Sequence, residues 1–286
     1  MEQKIKKILV LGVKGMAGHV IYSYLSQNPA LDVFGIARNN SDDKKLINLD
    51  VSKAEILEKT VKSGNFDVVI NCIGILNKDA EDHPAKAIWY NSYFPHFLEQ
   101  ITADSETRIF HISTDCVFNG KKGNYAENDM KDGEGFYAQS KALGEIENSK
   151  DLTLRTSIVG PELNRNGIGL FHWLMNQNGE IKGYTSAIWS GVTTLELAKA
   201  VEFFIENKHR GIAHLTNGIP INKYDLISLF KEIWKKENIN IVPFDGKKVD
   251  KSLKKSLVLP YHVPDYREML EDQYLWMKEH ANLYNY

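Results

Sequence analysis

The chain has 286 residues, 43% of them apolar and 25% charged, with a formal net charge of -2 and two cysteines. That balance suits one large α/β domain, or a core domain with a small lobe, and excludes a disulfide scaffold or a basic nucleic-acid binder. No apolar run is long enough to span a bilayer and the first residues lack a signal-peptide pattern, so a cytoplasmic protein without membrane partners is expected.

Ile8–Leu11 is a short apolar run that reads as a buried parallel strand. It leads into Gly12-Val-Lys-Gly15-Met-Ala-Gly18 and then a helical pattern through Leu25. Strand, glycine turn and helix open a βαβ nucleotide-binding unit. The glycines let backbone approach a diphosphate at the helix N-terminus, with Lys14, Met16 and Ala17 in the same turn. The second strand, Val33–Ala37, ends in Arg38-Asn39-Asn40 rather than in an acidic residue. Arg38 and Lys14 are two cations suited to a ribose 2′-phosphate, so NADPH is the expected cofactor, with NADH use left open. Leu46–Val51 is read as the third strand, ending in Asp50-Val51, whose carboxylate could bind an adenine amino group. Ser52 is read as the next helix cap, paired with Glu55. Phe66–Ile70 is a further buried strand. It runs into Asn71-Cys-Ile-Gly74, where Cys72, Ile73 and Gly74 would pass the cofactor ribose, and Cys72 reads as a small core residue.

Pro84 to about Ala103 is predicted as one long helix, with Asn91 able to bind a backbone carbonyl if buried. Arg108–Ser113 is the next strand, and Thr114 stands at its C-terminal end, where open α/β sheets bind ligands. Tyr137 and Lys141 follow at helical i, i+4 spacing, so they share one face. An ammonium beside a phenol can lower the phenol's pKa and make it a general acid near neutral pH. Leu152–Val159 is read as one strand, closed by Gly160-Pro161. Beyond it the alternation of strand and helix breaks down. Gly179–Gly191 reads as an aromatic loop carrying Tyr184 and Trp189. A helix capped by Thr193 or Thr194, a strand near Ile212–Leu215, a helix Tyr224–Lys236 and a last helix Asp265–Glu279 complete the chain. Gly246–Lys255 holds five lysines and reads as a solvated loop, or as a contact for a substrate diphosphate. The predicted fold is α/β, a Rossmann-type doubly wound parallel sheet. Residues 1–160 would bind the dinucleotide and carry the catalytic groups, and residues 161–286 would mainly form a smaller α/β substrate lobe, with segments able to interleave.

The ordered set Gly-x-x-Gly-x-x-Gly, Asp50-Val51, Asn71-x-x-Gly74, Ser-Thr-Asp-x-Val-Phe-x-Gly, Tyr-x-x-x-Lys and Leu-Arg-Thr-Ser resembles the extended short-chain dehydrogenases/reductases. Within them the chain is most similar to the dTDP-4-dehydrorhamnose reductase group, over nearly its whole length. The resemblance implies that Thr114, Tyr137 and Lys141 form a catalytic triad. Tyr137 would protonate a carbonyl oxygen as the nicotinamide delivers hydride, Lys141 would hold the nicotinamide ribose, and Thr114 would bond the same oxygen. The implied reaction is reduction of the C4 ketone of an NDP-4-keto-6-deoxyhexose in cell-surface polysaccharide biosynthesis, with Asp115, Cys116, Tyr184 and Trp189 near the sugar. No metal is implied, and a homodimer would fit the superfamily.

Cys116 stands where related dehydratases carry an acid/base Glu and the rhamnose reductases generally carry Tyr, which argues against dehydration. The GDP-fucose synthase group has Cys there, so a bifunctional 3,5-epimerase/4-reductase is an alternative, with His172 as the candidate partner of the thiol. An NAD-dependent 4-epimerase and a non-catalytic regulatory binding subunit remain further readings. Ala138 replaces the usual Gly, and Lys131–Gly135 replaces a proline-containing lead-in to Tyr137.

Overall fold

A computed structural model describes residues 5–38, 43–257, 259–284 and 286 of the chain. Asn39 and Asn40 therefore lie outside the described residues. The first half alternates strand and helix: β1 (Lys6–Leu11), α1 (Met16–Leu25), β2 (Leu31–Ala37), β3 (Leu46–Asn48), α2 (Ala54–Gly64), β4 (Val68–Asn71), β5 (Arg108–Thr114) and β6 (Leu152–Thr156). With the strand Gly211–His214 they form a parallel sheet of seven, in the order Gly211–His214, β6, β5, β4, β1, β2, β3. The order reverses between β1 and β4, and a crevice opens there at the strands' C-terminal ends.

The apolar runs are continuous because both faces of the sheet are covered. Ile8, Val10, Val68 and Ile70 face one core, while Leu9, Leu11 and Val69 face the other. That is the two-residue period of a strand, read out on two layers. Each such fully buried aliphatic side chain contributes roughly 1.5–3 kcal/mol. Helix Thr194–Glu206 packs on α1, so residues beyond 160 complete the covering layer as well as the sheet edge. The strand expected near Ile212–Leu215 thus belongs to the main sheet, not to the lobe.

Several elements differ from the sequence reading. The third strand stops at Asn48, leaving Asp50 and Val51 in a turn. Ser52 does not cap α2; its N–H bonds Asp50 Oδ1, and Lys53 occupies the cap position without a side-chain bond. The strand expected over 152–159 breaks at Ser157, and Ile158–Val159 pairs instead with Val192–Thr193. The aromatic loop is two strands, Gly179–Tyr184 paired with Ile239–Phe244, and Ala187–Trp189 paired with Ile221–Asn222 and Val249–Asp250. These partners are remote in sequence, so local patterning carried no sign of them. Thr193 does cap its helix, accepting the Glu196 N–H, and Asp265 caps Tyr266–Glu279 in the same way.

The helix expected over 84–103 is Pro84–Ala87, a π-helical turn Ile88–Tyr93, and Phe94–Ile101. The wide turn presents Asn91, which is fully buried. Its amide accepts from Ile75 N at 2.8 Å and donates to Ile75 O at 2.9 Å and Ser140 Oγ at 3.0 Å. One side chain thereby ties the segment after β4 to the helix Gly135–Leu143.

Candidate active site

The crevice begins with the glycine turn. Gly12 adopts φ +86°, a conformation that L side chains rarely take. A Cβ on Gly18 would stand 2.2 Å from Gly12 O, so only glycine lets α1 sit this close behind the turn. Gly15 is the N-cap of α1 and offers no side chain to the free N–H groups, and the first turn carries no acid. This is an open anion cradle, and the residues present fit a dinucleotide diphosphate. Lys14 is exposed beside it, and Met16 reaches Gly169 from the second half of the chain. Arg38 is exposed just past the end of β2, and Asp50 is half-buried two residues beyond β3. Bonds from Ser52 hold the Asp50 carboxyl below its ordinary value, with Arg38 adding to the effect. Cys72 and Ile73 pack directly on Gly12. Burial pushes the Cys72 thiol up to about 12, so it is a protonated packing residue and no nucleophile. Gly74 lies against Asn91.

Thr114 ends β5 and is nearly buried; its Oγ1 accepts the Cys116 N–H at 3.1 Å and donates to Asp115 Oδ1 at 3.1 Å. Tyr137 and Lys141 project from the helix Gly135–Leu143. That helix has no cap from Glu134. Its N-terminus is held in trans by Glu81, whose carboxylate accepts from Phe136 N at 3.1 Å and Tyr137 N at 3.2 Å. A carboxylate at a helix N-terminus satisfies free donors and meets the positive end of the dipole. Glu81 follows the segment that packs on Gly12, so one stretch of chain touches the glycine turn and holds the helix that carries Tyr137.

The Tyr137 phenol is near enough to the Thr114 hydroxyl to feel it. The expected lowering of the phenol by Lys141 is not found. Burial raises the phenol above its ordinary value, neighbouring Cys116 adds to this, and the Thr114 bond opposes it. The Lys141 Nζ instead turns towards β5, donating to Ile112 O at 2.8 Å and lying 3.2 Å from His111 Nε2. Lys141 is buried, and desolvation lowers it from 10.5 to about 8.

Asp115 and Cys116 follow Thr114 in a short 3-10 turn. Burial raises the Asp115 carboxyl, while Lys251 and Lys223 pull it back. Burial, then the Asp115 charge, pushes the Cys116 thiol up to about 11. Lys251 is near enough to oppose that rise and comes from the stretch read as a solvated loop. Lys247 and Lys248 are exposed as expected, but Ser252 and Leu253 are buried, and Tyr125 bonds this segment through Ser252 O at 2.8 Å. His172 is not at Cys116; its Nδ1 lies 2.9 Å from Tyr286 OH, on a helix that packs elsewhere. Trp189 is buried in the lobe core against Tyr266, which removes it from the sugar-facing set. Tyr184 is partly exposed and meets Phe244 edge-on.

The sequence reading did not single out Glu81, His111 or Lys223. His111 left a signal: a polar residue inside the strand Arg108-Ile-Phe-His-Ile, where both faces are covered, needs partners. Glu81 and Lys223 left none, because their roles depend on contacts across the fold.

A family model described as the RmlD substrate binding domain matches residues 6–258. A dTDP-4-dehydrorhamnose reductase of Aggregatibacter actinomycetemcomitans is 26% identical over 251 residues, covering 83% of this chain and 82% of the relative. The spore coat polysaccharide biosynthesis protein SpsK of Bacillus subtilis is 29% identical over 79% of this chain and 78% of its own. The solved dTDP-4-dehydrorhamnose reductase of Bacillus anthracis in complex with NADP superposes with a TM-score of 0.80 at 19% identity, covering 95% of this chain and 99% of that one, a likeness of fold.

Proposed function

The chain belongs to the RmlD substrate binding domain family, and on that premise we propose that it is an NADPH-dependent oxidoreductase reducing the C4 ketone of an NDP-4-keto-6-deoxyhexose. The observation that carries this reading is the nearness of Thr114 at the end of β5 to Tyr137, with Lys141 one helical turn away, in a sheet whose first strand ends in the Gly12 turn. Gly12, Gly15 and Gly18 would receive the diphosphate, Lys14 and Arg38 a 2′-phosphate, and Asp50 the adenine. When bound, the cofactor supplies the hydride. Tyr137 is held protonated by burial, the state a proton donor to a developing alkoxide requires. Thr114, whose hydroxyl donates to Asp115 Oδ1 here, would turn that proton to the same oxygen when the sugar binds. Names of relatives support the reading, including the polysaccharide setting. The parts of residues 161–286 outside the main sheet would form the sugar-binding lobe.

Cys116 enters this reading as a small protonated thiol beside the sugar. Its thiol is pushed up to about 11 by burial and the Asp115 charge in spite of Lys251, and His172 bonds Tyr286 instead, so it does not act as a base at neutral pH. The test is NADPH oxidation with a panel of enzymatically generated NDP-4-keto sugars. At least one sugar should be turned over, and Tyr137→Phe should lower that rate about 10²–10⁴-fold while NADPH still binds. Substantial turnover by Tyr137→Phe would remove the phenol from its role. Stoichiometric bound NAD with no net oxidation of NADPH would point to a redox-neutral 4-epimerase instead.

A further inference from the structure

The proposed mechanism gives no task to His111, which is fully buried directly beneath Lys141. Four polar groups stand in a row there, and three of them, Asn71, His111 and Lys141, are buried. The Ile73 N–H bonds Asn71 Oδ1 at 3.1 Å, and Asn71 is itself fully buried. A backbone N–H can only donate, so this bond fixes which end of the Asn71 amide is oxygen. The other end, Nδ2, then points a donor at His111 Nδ1, 3.1 Å away. A neutral imidazole that accepts at Nδ1 must carry its proton on Nε2. His111 Nε2 lies 3.2 Å from Lys141 Nζ.

The row therefore has one proton too many whenever Lys141 is an ammonium. The Nε2–H would face an N–H of the lysine, and no rearrangement within the row removes the clash. If the imidazole moved its proton to Nδ1 to accept from the ammonium, the Nδ1–H would face the Asn71 amide donor. Charging the imidazole adds a second cation. With Lys141 as a neutral amine every group pairs: His111 Nε2–H donates to the Nζ lone pair, and the amine still donates to Ile112 O at 2.8 Å. We propose that His111, locked in its Nε2–H form by Asn71, is a positioning residue that sets the proton occupancy of Lys141 and so makes this lysine an exchangeable proton carrier rather than a fixed charge.

The other ionisable groups facing Lys141 agree with that role. Glu145 favours the ammonium, as would a Cys72 thiolate, yet Cys72 is held protonated by burial. His111 itself is driven well below its ordinary value by burial and then by the Lys141 charge, so it stays neutral.

The inference deepens the proposed role of Lys141 and rests on that reading, but it is measured without sugar or cofactor, so each can fail alone. The probe is the pH titration of the Lys141 Cε signal in ¹³C-lysine-labelled protein, assigned by its loss in Lys141→Met. The expected midpoint is near 8. His111→Gln, whose side-chain oxygen can accept from an ammonium, should raise it by about one pH unit or more. A wild-type midpoint at the ordinary lysine value overturns the proposal, and so does a midpoint that His111→Gln leaves unmoved. If His111→Gln does not fold, ¹⁵N-histidine spectra of the wild type decide. The imidazole signal perturbed by Lys141→Met should be Nε2-protonated, and an Nδ1-protonated ring there overturns the lock.

Discussion

Two buried cations stand near the end of β5, and they are treated in opposite ways. Arg155, 1% exposed, is fully matched. Its Nε and Nη2 donate to the two oxygens of Glu145 at 2.7 and 2.8 Å, and Nη1 donates to Glu127 O at 2.8 Å. Burial alone would raise Glu145, but Arg155 and the Ser113 hydroxyl hold its carboxyl below the ordinary range. Lys141, 4% exposed, has a carbonyl and an imidazole as its bonded partners, and none of the salt bridges among the described residues includes it. A bidentate pair fixes a charge permanently, because either partner alone would be stranded in a low dielectric. A lysine without a carboxylate is held near the point where it changes charge. The first arrangement is a fixed part of the buried structure, and the second suits proton chemistry.

The comparison breaks most visibly if Arg155 is removed. Arg155→Met should lower stability by about 3–5 kcal/mol at pH 7, measured by chemical denaturation, since it leaves the buried Glu145 without its bidentate partner, with only Lys131 and the Ser113 hydroxyl to hold its charge. In the wild type the pair's contribution is present above the unfolded carboxylate pKa. It is lost as pH falls through the lowered folded value of Glu145, so the deficit of Arg155→Met should shrink in acid. A deficit independent of pH between 7 and 3 would assign the loss to packing instead.

Lys141 carries the opposite sign. Its folded pKa lies below its unfolded one, so below pH 8 burial of the charge opposes folding in full. As pH rises from about 8 towards 10.5 the native state sheds its proton first, and that opposition fades. Lys141→Met should therefore be more stable than the wild type at pH 7, by on the order of 3 kcal/mol, while losing reductase activity. The two proteins should converge at high pH. A variant less stable than the wild type at pH 7 would show that Lys141 is bound as a structural cation, like Arg155.

The smallest effect is expected at Cys116, which touches the site without owning a charge. Cys116→Ser should change the reductase rate little, and in deuterated solvent the wild type should place no label at C3 or C5 of the sugar. Label incorporated by the wild type and lost in Cys116→Ser would establish epimerase chemistry.

The sequence by itself determined the parts that are local. The glycine spacing, the apolar strands and the i, i+4 pair Tyr137 and Lys141 each depend on residues a few positions apart, and the parallel sheet follows from their alternation. So the glycine turn, the strand end at Thr114 and the helix that carries Tyr137 and Lys141 were legible from spacing alone. Only the tertiary structure decided what surrounds them. It broke the strand at Ser157, turned an aromatic loop into strands with partners some 60 residues away, and buried Trp189. It also separated His172 from Cys116 and set Glu81 on the helix that carries Tyr137. Above all, it turned Lys141 from the phenol towards His111. Spacing along a helix fixes which residues share a face, but the protons those residues hold depend on burial and on donors brought in by other strands, and those are decided only when the layers close.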